Sequence, residues 1–249
     1  MPETLKHFFR FFCFGAAAGF CILTALLSSV YLLRLYRSSK QAAALGTRLE
    51  AAAVCLPANG MGSLPSIDWQ ALTASCPDAV GWLWCPKTRL DYPIVQGADN
   101  DYYLTHMADQ TPDHHGAVFL DFRASPQLAD RHTLLYGHNM TDGSMFHDLL
   151  NWKDAEYLAA HPCLYILTPA AAYEVRVFSG YETAPDSDAY RTSFTGRDFI
   201  EWQDAICRRS VFPVPDSADT AERVVTLSTC TDSAHRFVLH GTMELYANS

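Results

Sequence analysis

The hydrophobic pattern opens with one long uncharged run and continues as a series of short apolar stretches. From Phe11 to Leu33 no charged residue occurs. At about 1.5 Å rise per residue this is roughly 34 Å of helix, enough to cross a bilayer's hydrocarbon core. Every face is apolar, unlike the one-sided stripe of a core helix. The run also exceeds the apolar region of a signal peptide, about 7–15 residues, although Ala42-Ala43-Ala44 offers a small-residue cleavage site. Tyr31 suits a membrane interface. The segment is expected to be a transmembrane anchor. Lys6 and Arg10 precede it and Arg34, Arg37 and Lys40 follow it, so the positive-inside rule does not choose its orientation.

Beyond the anchor, Ser38 to Leu56 has helical composition. Pro57 to Ser66 is a Pro/Gly/Ser linker, and Ile67 to Ala79 is expected to hold a short helix. Apolar runs then recur between turn residues: Val80–Cys85, Leu90–Val95, Ala117–Phe122, His132–Tyr136, Leu164–Leu167, Tyr173–Tyr181, Val224–Ser228 and Arg236–Leu245. Such spacing predicts a mainly β domain, closed or sandwiched. Two segments have helical periodicity instead. One runs from Ser144 to about Ala160, with Met145, Leu149 and Trp152 on one face. The other runs from Thr195 to about Arg209, where Thr195 and Asp198 resemble a capping box. The chain therefore divides into a tail (1–10), an anchor (11–33), a juxtamembrane helix and linker (34–66) and a main domain (67–249).

Composition narrows the function classes. The formal net charge is −9 and no basic cluster occurs, which excludes a phosphate-neutralising nucleic-acid binder. Eight cysteines suggest a disulfide scaffold until they are placed. Cys13 and Cys21 lie in the apolar run, and the other six have no regular spacing and no C-x-x-C pattern. One bridge among Cys55, Cys76 and Cys85 stays open.

Three residues could carry chemistry. Cys230 ends the strand-like run Val224–Thr229, where a rigid strand would hold a thiol at the edge of solvent. The reactive form is the thiolate, so a base or cation is needed nearby. His138 follows the run His132–Tyr136 after Gly137, whose backbone freedom could aim the imidazole into a cleft. Arg236 opens the run after Cys230. If the two runs are antiparallel neighbours, Arg236 lies beside Cys230 and can stabilise an oxyanion. Taken singly, each has a plainer reading: a buried structural cysteine, a surface loop histidine, a strand-end arginine.

Taken together, LLYGHNM, TLSTC and the following arginine resemble the sortases, over about residues 66–249. DYPIVQGADNDYYLTH (Asp91 to His106) and GAVFLDFR (Gly116 to Arg123) look like class B. The resemblance implies a closed β-barrel of about eight strands, with N-terminal helices and an extra helix before the cysteine strand. It implies Cys230 as nucleophile, His138 as acid/base and Arg236 as oxyanion-stabilising arginine. It puts Asn100, Leu104, Tyr190 and Ser228 on the substrate groove. It also implies a cysteine transpeptidase that cuts a C-terminal sorting signal of Asn-Pro-x-Thr or Pro-x-Thr-Gly type in secreted proteins. The threonine carbonyl would pass to an amine of cell-wall peptide or of a pilin. The enzyme would sit in the cell membrane, single-pass, with its catalytic domain extracellular, and would use no cofactor and no metal. The loop from Cys230 to Arg236 is short for the class.

Two rival readings keep the same residues. A hydrolytic cysteine peptidase would use the same Cys–His pair, and an inactive tethered binding module would leave Cys230 inert. A papain-like arrangement is disfavoured, because there the cysteine begins a helix and precedes its histidine. Asp232 is better read as a turn residue than as a third catalytic member. His114-His115 and His235/His240 fit no metal-ligand spacing.

Overall fold

The computed structural model describes residues 3–55, 64–215, 221–232 and 234–247; of these, the side chains of 3–18 and of Cys55 are left undescribed. Helix α1 runs Glu3–Ala53 and contains the whole uncharged run. Ile22, Leu23, Leu26, Leu27 and Leu32 are each more than half exposed along it. By length and composition, α1 qualifies as a membrane span. The expected second helix from Ser38 is thus the continuation of the first. Residues 1–43 and 44–249 form separate compact units. Within the second unit, Leu49 and Ala53 are buried with Leu72, Cys76, Trp82 and Tyr103.

Strand β1 (Val54–Cys55) pairs antiparallel with β2 (Ser66–Ile67). Most of the expected Pro/Gly/Ser linker falls outside the described residues. The short helix expected before the main domain is α2, Trp69–Ser75. Asp68 caps it, its carboxylate accepting the Ala71 N–H at 3.0 Å, which satisfies one of the orphan donors of the first turn.

Eight strands then close a barrel. They are β3 (Ala79–Trp84), β4 (Asp91–Val95), β5 (Val118–Leu120), β6 (His132–Tyr136), β7 (Cys163–Leu167), β8 (Ala172–Thr183), β9 (Val224–Cys230) and β10 (Arg236–Leu245). The order around the barrel is β10-β8-β7-β3-β4-β5-β6-β9. Pairs β4–β5 and β6–β9 are parallel and the rest antiparallel. Side chains alternate between faces along a strand, and β9 shows what each face meets. Val225 and Leu227 join the barrel core with Leu83, Ile94, Leu135 and Phe237. Val224 packs outside it with Phe178, Phe199, Trp202 and Val238. Both faces of β9 are covered, so its sequence carries no charged residue and its hydroxyl residues Thr226, Ser228 and Thr229 are buried with the rest.

Two helical expectations need correction. The segment from Ser144 to Ala160 is not one helix. A 3₁₀ stretch covers Phe146–Lys153, and α3 covers Ala155–Ala160. Buried Phe146, Leu149 and Trp152 recur every third residue, the repeat that aligns side chains on a 3₁₀ turn. Asp154 ends that stretch and caps α3, accepting from the N–H groups of Glu156 and Tyr157. The helix before β9 is α4, Asp198–Arg208, and its expected capping box does not form. Its N-cap is Arg197, without a side-chain bond. The Asp198 carboxylate instead accepts from the Thr195 hydroxyl at 3.0 Å and from Arg191. Asp198 stands first in the helix, not third, so it cannot reach back as the motif requires.

Cys76, Cys85 and Cys163 are free thiols. Burial pushes Cys76 and Cys85 up to about 12, and Cys163 up to about 11. These three stay protonated at neutral pH and are poor nucleophiles.

Candidate active site

The hairpin β9–β10 builds one side of the site. Cys230 ends β9, Arg236 begins β10, and the two are direct partners in the ladder. Residues opposite one another in an antiparallel pair project to the same face. The loop between them is held by Asp232. Its carboxylate accepts from the N–H groups of Ala234 and His235 at 2.7 Å each, and from the His235 imidazole at 3.0 Å. Asp232 is spent on its own turn and is exposed. Arg236 Nη1 donates to the carbonyls of Asp232 (3.2 Å) and His235 (3.0 Å). No other nitrogen of this guanidinium has a hydrogen bond among the described residues.

Strand β6 brings His138. It runs parallel to β9 with Tyr136 opposite Ser228, and the Gly137 N–H donates to the Ser228 carbonyl at 3.2 Å. Gly137 does not use the left-handed backbone region that its type allows. Glycine is required there for space, since a Cβ would stand 2.8 Å from the Phe146 ring. His138 Nε2 lies 2.7 Å from the Leu104 carbonyl. A carbonyl only accepts, so Nε2 carries the hydrogen and Nδ1 is the nitrogen left to exchange a proton. Gly116 supports this arrangement at φ +63°, where a Cβ would meet the Tyr103 carbonyl at 2.4 Å and His138 Cδ2 at 3.1 Å.

A groove of about 660 Å³ runs over these residues. Asn100, Leu104, His138, Tyr190, Ser228, Cys230 and Arg236 all line it, so all seven residues singled out in the sequence share one surface. Tyr190 and Ser228 exchange a hydroxyl hydrogen bond at 2.8 Å. Burial raises the Tyr190 phenol, keeping it neutral. A smaller cavity of about 350 Å³ lies at the opposite ends of β9 and β10, between residues such as Arg223 and Thr242, away from Cys230.

The sequence reading missed the hub under the groove. Asp121 is fully buried. It accepts from Arg123 Nε (2.8 Å) and Nη2 (2.7 Å), from the Tyr136 hydroxyl (2.9 Å) and from Asn100 Nδ2 (3.0 Å). Burial alone would raise its carboxyl, but Arg123 and the other donors outweigh it and bring it down to about 2. The signal was an aspartate directly after the apolar strand Val118–Leu120, since a buried charge requires partners. His114 and His115 also gain neighbours that spacing did not reveal. His115 stands between Asp113 (2.6 Å) and Asp142 (3.0 Å). Ligand-type atoms of Asp113, His114 and His115 lie within 4.8 Å of one another.

A closed eight-stranded barrel, with a strand-end cysteine, a facing arginine and a loop histidine over one groove, is the architecture of a thiol-centred barrel protein. The chain belongs to the sortase family, whose domain matches residues 83–244. Among its relatives, sortase B of Listeria monocytogenes is 40% identical over 154 residues, 61% of this chain and 63% of that protein. Sortase B of Staphylococcus aureus is 31% identical over 157 residues, 63% of this chain and 64% of that protein. The match therefore spans just under two thirds of each relative's length. Solved structures agree. A Staphylococcus aureus sortase B–substrate complex superposes with a TM-score of 0.67 at 28% identity, covering 72% of this chain and 85% of that one. Sortase B of Bacillus anthracis in complex with AAEK1 gives 0.73 at 28%, covering 85% and 100%. Listeria sortase B gives 0.62 at 38%, covering 70% and 97%. The resemblance to class B and the barrel expected from it both hold.

Proposed function

We propose that this protein is a membrane-anchored cysteine transpeptidase acting on secreted proteins with a C-terminal sorting signal of Asn-Pro-x-Thr or Pro-x-Thr-Gly type. The observation that carries the reading is the placement of Cys230 and Arg236 as ladder partners in the groove that His138 also lines. That the Staphylococcus aureus relative is known in a sortase B–substrate complex supports a substrate-binding role for this domain.

In this reading the Cys230 thiolate attacks the carbonyl carbon of the signal's threonine. Negative charge gathers on the carbonyl oxygen, and the guanidinium of Arg236 donates to it. The imidazolium of His138 gives its Nδ1 proton to the leaving amide nitrogen, the C–N bond breaks, and a thioester on Cys230 remains. An amine of cell-wall peptide or of a pilin then enters and loses a proton to neutral His138. It attacks the thioester, and Cys230 leaves as the thiolate. The Leu104 carbonyl keeps Nε2 occupied throughout, so both proton transfers use one nitrogen. Asn100, Leu104, Tyr190 and Ser228 would contact the signal. The uncharged part of α1, residues 11–33, would hold the catalytic domain at the outer face of the membrane, where it meets its substrates at high effective concentration.

The test uses the full-length protein in detergent with fluorogenic peptides carrying each signal, with and without an amine acceptor, beside Cys230→Ala. Cleavage that needs Cys230 and yields an amine-linked product is expected. Cleavage without adduct would replace transfer by hydrolysis. No cleavage of either signal would overturn the substrate assignment.

A further inference from the structure

We propose that Asn139 is a positioning residue that locks the nucleophile's strand to the histidine's loop, and that His147 supports the orientation in which it works. The inference rests on the assignment of Cys230 and His138 above. Strand β6 and strand β9 run parallel, and their hydrogen bonds recur every second residue. The last backbone rung is the Gly137 N–H on the Ser228 carbonyl. The next in the same series would join the backbone N–H of Asn139 to the carbonyl of Cys230. That backbone bond is not made, because the chain turns back after His138 and Asn139 pairs with Met145 instead. The side chain supplies the rung: Asn139 Nδ2 donates to the Cys230 carbonyl at 2.9 Å.

An amide can face either way, and only one way suits a carbonyl. With Oδ1 toward Cys230, two acceptors would oppose each other. The Cys230 carbonyl thus fixes the amide, and His147 supports that orientation: its Nδ1 lies 2.8 Å from Asn139 Oδ1, which can only accept, so Nδ1 is the donor. His147 sits in the same returning segment, whose first residue, Phe146, donates its N–H to the His138 carbonyl at 2.8 Å. One short loop therefore grips the backbone of His138 and, through Asn139, the backbone of Cys230. The two groups that must exchange charge are carried on different strands, and beyond the Gly137 rung this amide ties the two segments together. A displacement of about 1 Å between reacting groups can cost about 100-fold in rate.

The experiment compares Asn139→Ala, Asn139→Asp, His147→Ala and His147→Gln in the full-length protein, with an Asn-Pro-x-Thr-Asn fluorogenic peptide. Melting temperatures are recorded for each. Asn139→Ala is expected to lower kcat by about 10- to 100-fold while KM stays within about threefold. Asn139→Asp keeps the shape but sets an oxygen against the Cys230 carbonyl, and should lose at least as much. It is the deciding variant if Asn139→Ala does not fold. His147→Ala should fall between, and His147→Gln, whose amide can still donate to Asn139, should restore most of the rate. Wild-type kcat in Asn139→Asp, or loss in His147→Gln equal to that in His147→Ala, would overturn the proposal. Cys230→Ala is run alongside: if cleavage survives it, the assignment of the nucleophile has failed instead.

Discussion

Arg236 stands directly across the antiparallel ladder from Cys230, so backbone pairing places the roots of the two side chains side by side on one face. The reach of Arg236 is restricted further by the two loop carbonyls that hold Nη1. A group fixed in this way needs no reorganisation when charge develops beside it. Arg236→Ala should lower kcat by about 100- to 1,000-fold with a melting temperature close to wild type. Arg236→Lys should recover only part of that, because an ammonium lacks the planar fork. Steady-state kinetics of the two variants checks both statements.

Gly116 tests the support of the histidine. Its φ of +63° and the approach of the Tyr103 carbonyl to 2.4 Å from an added Cβ leave no room for a side chain. Gly116→Ala should cost about 1–3 kcal/mol of stability, read by denaturant unfolding. It should also lower activity, because His138 Cδ2 is the next atom in the path.

Asp121 tests the groove. Asp121→Ala leaves the Tyr136 hydroxyl and the Asn100 amide without the carboxylate that now accepts from both. The expected cost is about 3 kcal/mol. Asp121→Asn keeps the volume and should raise KM more than it lowers kcat, since Asn100 and Tyr136 line the groove but do not touch the thiol. A kcat loss larger than the KM rise would contradict this.

His132 gives the fold a pH dependence. It is buried behind the groove, its Nδ1 donating to the Arg191 carbonyl at 2.6 Å and its Nε2 accepting from the Thr226 hydroxyl at 2.6 Å. Thr226 in turn accepts from His240 Nδ1 at 2.7 Å. Burial pulls His132 from the ordinary 6.5 down to about 4, and pulls His240 down as well. The unfolded chain therefore takes up protons that the folded one refuses between those two values. Stability is full above pH 6.5 and is lost as pH falls toward 4. Melting temperatures measured across that window should decline, and less steeply in His132→Gln, with His240 supplying the remaining slope.

Much of this was legible in the chain. The eight strand positions follow from apolar runs between turn residues. Arg236 beside Cys230 followed from one short loop between two strands. The 3₁₀ stretch was misread because Met145, Leu149 and Trp152 also fit a helical stripe. The Asn139 and Asp121 contacts were hidden for a different reason. Asn139 meets Cys230, and Asp121 meets Asn100, across wide gaps in sequence, and neither residue type announces its partner. Gly137 was read for backbone freedom, whereas the constraint is an aromatic ring that arrives from Phe146.

The parallel pairing of β6 with β9 has a consequence in time. His132 and Val224 are ladder partners about ninety residues apart in sequence, and closing so long a loop is slow. His138 lies near the middle of the chain and the Cys230 thiol near its end. Most of the barrel must form before they meet. With the roles proposed above, a partly folded molecule would carry the acid/base without the nucleophile beside it, and reactivity would be switched on by the closing of the barrel itself.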